Sequence, residues 1–291
     1  MIPAKFDYAA PASLAETVSQ LANGADAHVL AGGQGLVPAL TTREATAGLL
    51  VDLRNVPDLA DILPQDSGVR IGAMVTLDEV AASTQINGSE TALTDCLAAF
   101  GDPQVRNRAT IGGALAHTHH GVDLPAVAVA LDASISVFGA DAGRTVAASE
   151  LFGGLVTALG PAEVITSVSV PVPASGAGSA YEKVRNPGSS YAICGVAASI
   201  VLTPEGTIDS ARVVVAGATA AAVRIPKVEA ALAGQPATQE TLAAAAGHLP
   251  DEGLTFPSDL AAPADYRAHL AEVLIIRALA RATDRARKVS S

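Results

Sequence analysis

Tryptophan is absent from the 291-residue chain, and aromatic residues make up only 3 % of it. Stacking platforms for single-stranded nucleic acid or sugars are built from such rings, so neither ligand is expected. Cysteine occurs twice, at Cys96 and Cys194, far apart and outside any CxxC pair. An iron–sulfur cluster usually takes four Cys ligands, so this chain cannot hold one alone, and a structural zinc site is equally disfavoured. Both cysteines lie among apolar residues and read as buried free thiols. Cations are also scarce, with 18 Lys and Arg against 29 Asp and Glu and a formal net charge of -11. A phosphate backbone is held by clustered cations, so nucleic acid is not an expected partner. The carboxylates are dispersed and form no acidic tail. No segment approaches the ~20 apolar residues of a membrane span. The opening Met1 to Tyr8 lacks a basic region followed by an apolar one, so no secretion signal is read and a cytoplasmic location is expected. No acid–base triad is visible, and no catalytic residue is assigned.

What is present is a mixed helix and strand pattern. Ser13-Leu14-Ala15-Glu16 has the form of a capping box, and Leu14, Val18 and Leu21 follow at helical spacing until Asn23-Gly24. His28–Leu30 and Leu49–Leu53 read as short strands. A second unit opens with a strand at Val69–Ala73 and a capping box at Thr76–Glu79. Thr91–Phe100 reads as a helix, Gly101–His120 as a long functional loop, and Asp123–Leu131 as a helix with Pro125 in its first turn. Ser134–Phe138 and Glu163–Val170 read as strands. Pro171–Gly178 is the best linker. Beyond it come strands at Ser179–Val184, Cys194–Leu202 and Thr207–Ala216, the last two joined by a turn at Thr203–Gly206. Helices follow at Lys227–Ala233, Thr238–Gly247 and Asp265–Arg287. The last has Leu270, Leu274 and Leu279 on one face and a basic C-terminal end.

Two glycine segments carry the chemistry: Ala31-Gly32-Gly33-Gln34-Gly35 and Thr110-Ile111-Gly112-Gly113. Without a Cβ, successive glycines let backbone approach a ligand closely. Their N–H groups can converge into an anion-binding nest. Two nests from distant segments suit a pyrophosphate, as in a dinucleotide. The first segment mimics part of a Rossmann fingerprint, but Pro38 stands where its third glycine belongs, and there is no P-loop GKS or GKT. His117-Thr118-His119-His120 opens like the HxHxDH motif of two-metal hydrolases. Gly121 and Val122 stand where Asp and His are required, so no metal site is expected.

In order, AGGQGLVP (31–38), VDL (51–53), DPQVRNRATIGGALAH (102–117), DLPAV (123–127), YEKVRNP (181–187) and DYRAHLAEVLIIRAL (265–279) resemble the FAD-binding medium subunit of the carbon monoxide dehydrogenase and xanthine dehydrogenase group. The resemblance covers almost the whole chain. It implies an α+β architecture. A two-part FAD-binding domain of the vanillyl-alcohol oxidase type, 1–60 and 61–173, is followed by a small C-terminal domain, 178–291, with a three-stranded antiparallel sheet and helices. It implies FAD on this chain, a molybdenum–pterin cofactor on a large partner subunit and two [2Fe-2S] clusters on a small one, the whole as a dimer of heterotrimers.

By resemblance, Ala31, Gly32, Gly33, Gln34, Gly35 and Leu36, with Thr110, Ile111, Gly112 and Gly113, contact the FAD. Asp123 lies near it or simply caps its helix. His117 hydrogen-bonds near the phosphates or packs its loop. Lys183 places a cation near the flavin N1 edge or is a surface lysine, and Tyr191 stacks on a flavin face or is a domain contact. The chain departs from the family pattern at Gly35 (usually Ser), Ala114 (usually Asn), and His119 and His120 (usually Asp and Pro). The implied function is electron transfer from the clusters to an external acceptor. Two rivals are a self-contained flavin reductase on the same domain, like the cell-wall enolpyruvyl reductases, and a non-catalytic assembly scaffold.

Overall fold

The computed structural model describes residues 2–86, 91–117, 123–140, 142–152 and 158–290. The first unit alternates β1 (Asp7–Ala9), α1 (Leu14–Asn23), β2 (Ala27–Leu30), α2 (Leu36–Thr42) and β3 (Leu49–Asp52). Its parallel sheet has the order β1-β3-β2, with Asp7 and Ala27 flanking Leu49. Ser13 starts α1 by accepting from the Glu16 N–H, and the Glu16 carboxylate reaches back to Ala12 N–H, one residue before the cap. A 3-10 turn at Leu53–Asn55 replaces the last residue expected of β3.

The second unit holds β4 (Ile62–Gln65), β5 (Gly68–Gly72), α3 (Leu77–Ala82), α4 (Ala92–Ala99), α5 (Pro103–Arg106), α6 (Ile111–Ala116), α7 (Leu124–Ala130), β6 (Ser134–Phe138), β7 (Gly143–Ala147), α8 (Ala148–Phe152) and β8 (Val164–Pro171). An antiparallel sheet runs β4-β5-β8-β6-β7. Ile62, Ile71, Val168, Ile135 and Val146 stand directly across from one another in a row over all five strands. Such cross-strand apolar rows fix register, because a one-residue slip would turn them to solvent. Both halves of the Thr76–Glu79 capping box form.

The third unit holds β9 (Ala177–Arg185), β10 (Ala192–Leu202), β11 (Ile208–Ala216), β12 (Val223–Arg224), α9 (Pro226–Leu232), α10 (Gln239–Ala246) and α11 (Ala264–Ser290). Its sheet has the order β12-β11-β10-β9. It is therefore four-stranded, not three-stranded, because the two-residue β12 pairs with β11 through Val223 and Arg224. So short a strand gives no alternation to read. Strand alternation sends Tyr181, Ala197, Val214 and Ala216 into the core of the second unit, and Ala180, Val196, Ala198, Val213 and Val215 into the core under α11. Burial on both faces explains the nearly continuous apolar run of β10. α11 crosses β9 at backbone contact, since a Cβ on Gly178 would lie 2.1 Å from the Ala282 carbonyl oxygen.

The second and third units are clamped by Asp95 on α4. It accepts from Tyr181 N–H at 3.0 Å, from both terminal nitrogens of Arg285 at 2.6 and 2.8 Å, and from Arg281 at 2.8 Å. The expected loop over residues 101–120 is instead two short helices, α5 and α6, as far as residue 117. Pro103 in the first turn of one and the Thr110 cap of the other start them. At four residues α5 is too short to show helical spacing, and the two glycines of α6 disguise its own.

Candidate cofactor site

A cleft of about 660 Å³ opens where the three units meet. The loop 31–36, which leads from β2 into α2, forms one wall. The start of α6 forms another, and Asp123, His117 and the turn 188–191 between β9 and β10 add to it. Of the residues singled out in the sequence, Ala31, Gly32, Gly33, Gln34, Gly35, Leu36, Thr110, Gly112, Gly113, His117, Asp123 and Tyr191 line this cleft. Ile111 is buried beneath it, and Lys183 stands behind Asp123. Phe100, Val105 and Glu163 also line it and had not been singled out. Phe100 and Glu163 lie outside the quoted motifs, Val105 is an unremarked residue within one, and the topology brings all three there.

The two glycine segments do meet. A Cβ on Gly32 would lie 2.0 Å from the Arg108 carbonyl oxygen and 2.9 Å from Ala109 Cα. Real side-chain carbons never approach so closely, so the missing Cβ is what lets one segment rest on the other. Gly33 takes a left-handed φ of 74°, which a side chain would strain. Among the described residues, no hydrogen bond within the protein uses the N–H groups of Gly33, Gln34, Gly35 or Leu36. They could donate to a ligand in the cleft.

The second segment differs from the expected nest. Ile111 N–H donates to the Val75 carbonyl at 3.0 Å and Gly112 N–H to the Ala73 carbonyl at 2.9 Å. Gly113 N–H donates to the Thr110 hydroxyl at 3.2 Å, closing the cap of α6. A Cβ on Gly112 would stand 2.5 Å from Ala73 Cβ. Gly112 thus admits the neighbouring chain rather than a ligand, and this stretch supplies wall and shape instead of convergent donors.

Asp123 precedes α7, but its side chain makes no capping bond. It is buried and accepts from Lys183 Nζ at 2.7 Å on one oxygen and from Tyr181 OH at 2.5 Å on the other. Burial raises its carboxyl pKa above the usual value, outweighing the Lys183 charge and the two hydrogen bonds that pull it down. The Lys183 side chain is only 3 % exposed, so the surface reading fails. His117 faces Tyr191 with ring centroids 6.4 Å apart at 30°, and its Nε2 lies 3.4 Å from the Tyr191 hydroxyl. Burial lowers the His117 pKa, so the imidazole is neutral near pH 7. A Cβ on Gly35 would come within 2.9 Å of the His117 ring, so the serine usual at that position would displace it. His119 and His120 lie outside the described residues. Among those described, no group of three or more His, Cys, Asp or Glu could hold a metal ion. Cys96 and Cys194 are buried and free, and burial pushes Cys194 up to about 12. No described helix is long and apolar enough to cross a membrane.

The donor-bearing glycine loop, the aromatic ring and the large cleft fit a dinucleotide in shape and chemistry. Residues 4–173 match the family model of the FAD-binding domain in molybdopterin dehydrogenase, and residues 179–282 match that of the CO dehydrogenase flavoprotein C-terminal domain. The carbon monoxide dehydrogenase medium chain of Afipia carboxidovorans is 37 % identical, the match covering 99 % of this chain and all of that one. Subunit alpha of the 6-hydroxypseudooxynicotine dehydrogenase complex of Paenarthrobacter nicotinovorans is 35 % identical, covering 99 % of this chain and 97 % of its own. A solved carbon monoxide dehydrogenase chain from Hydrogenophaga pseudoflava superposes with a TM-score of 0.92 at 36 % identity, over 98 % of this chain and 99 % of that one.

Proposed function

The chain belongs to the FAD-binding medium-subunit family of the molybdenum hydroxylases, and from that premise we propose that FAD occupies the cleft described above and that the chain carries electrons rather than attacking the organic substrate. The protein is an oxidoreductase component whose cofactor is FAD. When bound, FAD supplies the exchange between one-electron and two-electron transfer. A small subunit with [2Fe-2S] clusters delivers the electrons, a large molybdenum–pterin subunit oxidises the substrate, and an external acceptor takes the electrons away. The complex is a dimer of heterotrimers in the cytoplasm. With only two cysteines in this chain, the clusters belong elsewhere.

One observation carries the placement: Gly32 rests on the Arg108 carbonyl, two residues before Thr110, and a Cβ on Gly113 would lie 3.5 Å from Ala31 Cβ, so two distant glycine segments come together at a single cleft. The N–H groups of Gly33 to Leu36 then donate to the pyrophosphate. Thr110 to Gly113 shape the opposite wall, with Ile111 acting from beneath. His117 and Tyr191 provide ring surfaces, and Asp123 an acceptor backed by Lys183.

The test is purification together with the neighbouring subunits, followed by a visible spectrum. Flavin bands near ~450 nm with iron–sulfur absorption superposed are expected. A preparation that stays colourless after FAD is added, or steady turnover of a small substrate by this chain alone, would sink the proposal.

A further inference from the structure

Two features around Asp123 have no part in holding the fold's secondary structure. The first is the buried 2.5 Å hydrogen bond from Tyr181 OH on β9 to Asp123 Oδ1. The second is Gly195 in the middle of β10. Its backbone is not left-handed, so conformation does not demand glycine there. Glycine within a strand is unfavourable and commonly marks a close approach. A Cβ at Gly195 would lie 2.2 Å from the Tyr181 hydroxyl oxygen and 2.9 Å from its ring carbon Cζ. The register places Tyr181 opposite Ala197 and Gly195 opposite Lys183. The tyrosine therefore leans diagonally over the bare strand, and only a glycine leaves room for it.

We propose that Tyr181 is a positioning residue of the cofactor site: its hydroxyl, admitted by Gly195, holds the cleft-lining carboxylate of Asp123 ionised and in one orientation. This rests on the reading that FAD occupies the cleft. Lys183 alone would neutralise Asp123, so charge balance does not need the tyrosine. The second bond does what an ion pair cannot, because it engages the other oxygen and stops the carboxylate from turning about its own axis. It also opposes burial, which favours the protonated acid. Protonation matters because a carboxylate only accepts hydrogen bonds, whereas a carboxylic acid also donates one. FAD offers N–H and O–H donors that need the acceptor form.

The ionisable groups around this carboxylate are few. Lys183 and Tyr181 come from β9, Cys96 from α4, and Tyr191 from the 186–191 turn. Burial keeps the Cys96 thiol neutral, and burial first and Asp123 second push Tyr181 far above its usual range. Asp95 on α4 is itself held by Arg281 and Arg285. His117, which meets the Tyr191 hydroxyl at 3.4 Å in the same cleft, also gains a proton on acidification, below its ordinary pKa because it is buried. Among the described residues around the carboxylate, Asp123 and His117 are thus the groups whose protonation changes on the acid side.

The experiment is Tyr181→Phe in the full-length chain purified with its partner subunits. FAD affinity is read from flavin fluorescence across a pH series, with the urea midpoint measured in parallel. The expected result is affinity about tenfold weaker at neutral pH, as for loss of one hydrogen bond to a charged group. The acid-side loss of FAD should also begin at a higher pH than in the wild type. Gly195→Ala should displace the acid limb in the same direction, since its methyl occupies the place of the hydroxyl. A Tyr181→Phe protein with wild-type affinity and pH profile overturns the proposal. So does a uniform loss at every pH with an undisplaced limb, which would mark a merely structural tyrosine. Should neither variant fold, Asp123→Asn in a His117→Gln background decides: the acid limb left by His117→Gln alone should vanish, and its persistence overturns the proposal. A wild-type complex that holds no FAD refutes the cofactor placement itself, a separate failure.

Discussion

Ala31–Leu36 and Thr110–Gly113 each set a glycine pair beside the same cleft, yet their backbone donors have opposite fates. In the first segment the N–H groups of Gly33 to Leu36 meet no partner within the described protein. In the second, Ile111, Gly112 and Gly113 all donate inward, to Val75, Ala73 and Thr110. The glycines differ in the same sense. Gly33 is needed for its left-handed φ of 74°. Gly112 is needed because Ala73 occupies the space a Cβ would take. A glycine pair therefore says that something comes close, but not whether that something is a ligand or the protein itself. Hydrogen-bond accounting makes the distinction.

The largest expected effect tests the second segment. Gly112→Val would force β-branched carbons into Ala73, at a cost of about 3 kcal/mol or more. In urea titrations of the chain, the midpoint should fall, and FAD should be lost only in proportion to unfolding. If Gly112→Val keeps the wild-type midpoint but loses FAD, the contrast between the segments is wrong. Gly33→Val should behave in the opposite way. Left-handed strain costs about 1–2 kcal/mol, so the chain stays folded, while twisting its N–H groups out of line should weaken FAD binding at least about tenfold. Equilibrium dialysis against FAD separates the cases. Thr110→Ala is milder still. It removes only the cap on Gly113 N–H, so about 1 kcal/mol of stability should go, with Thr110→Ser retaining it.

Much of this was legible in the sequence because local rules and tertiary structure agree. The Ser13 cap and the Thr76 capping box start α1 and α3, and apolar runs separated by turn residues marked β9, β10 and β11. The elements that escaped are short or atypical. β12 has two residues, and α6 carries two glycines in its first turn. The site was legible as a set of residues, since motif order marks which ones gather. Their individual duties were not. Asp123 looks like a helix cap and Lys183 like a surface residue until the topology brings the residue before α7 within reach of β9 and pairs them. Tyr181 lies within the quoted YEKVRNP stretch, but its partner is 58 residues away, and no local spacing records that.

The smallest effect concerns a cleft residue outside both segments and so provides a control on the comparison. Glu163, just before β8, accepts from Arg144 through two nitrogens at 2.8 Å each and from Gly160 N–H at 2.8 Å. The Arg144 hydrogen bonds first, and the Gly160 N–H second, hold its carboxyl at about 2 instead of 4.5. The folded state thus binds a proton less readily than the unfolded chain. Its contribution to stability is complete above pH 4.5 and disappears as pH falls towards about 2. Arg144 is 41 % exposed, so solvent and salt weaken the pair. Glu163→Gln should therefore lower the urea midpoint modestly at pH 7. The gap to wild type should narrow steadily across that acid window and shrink with added salt. FAD affinity at neutral pH should change far less than in Gly33→Val, because Glu163 is tied to Arg144 and Gly160 rather than offered to the ligand. An affinity loss matching that of Gly33→Val would mean that the cofactor leans on this wall as much as on the glycine loop, and the asymmetry drawn between the two segments would no longer describe how the cleft holds it.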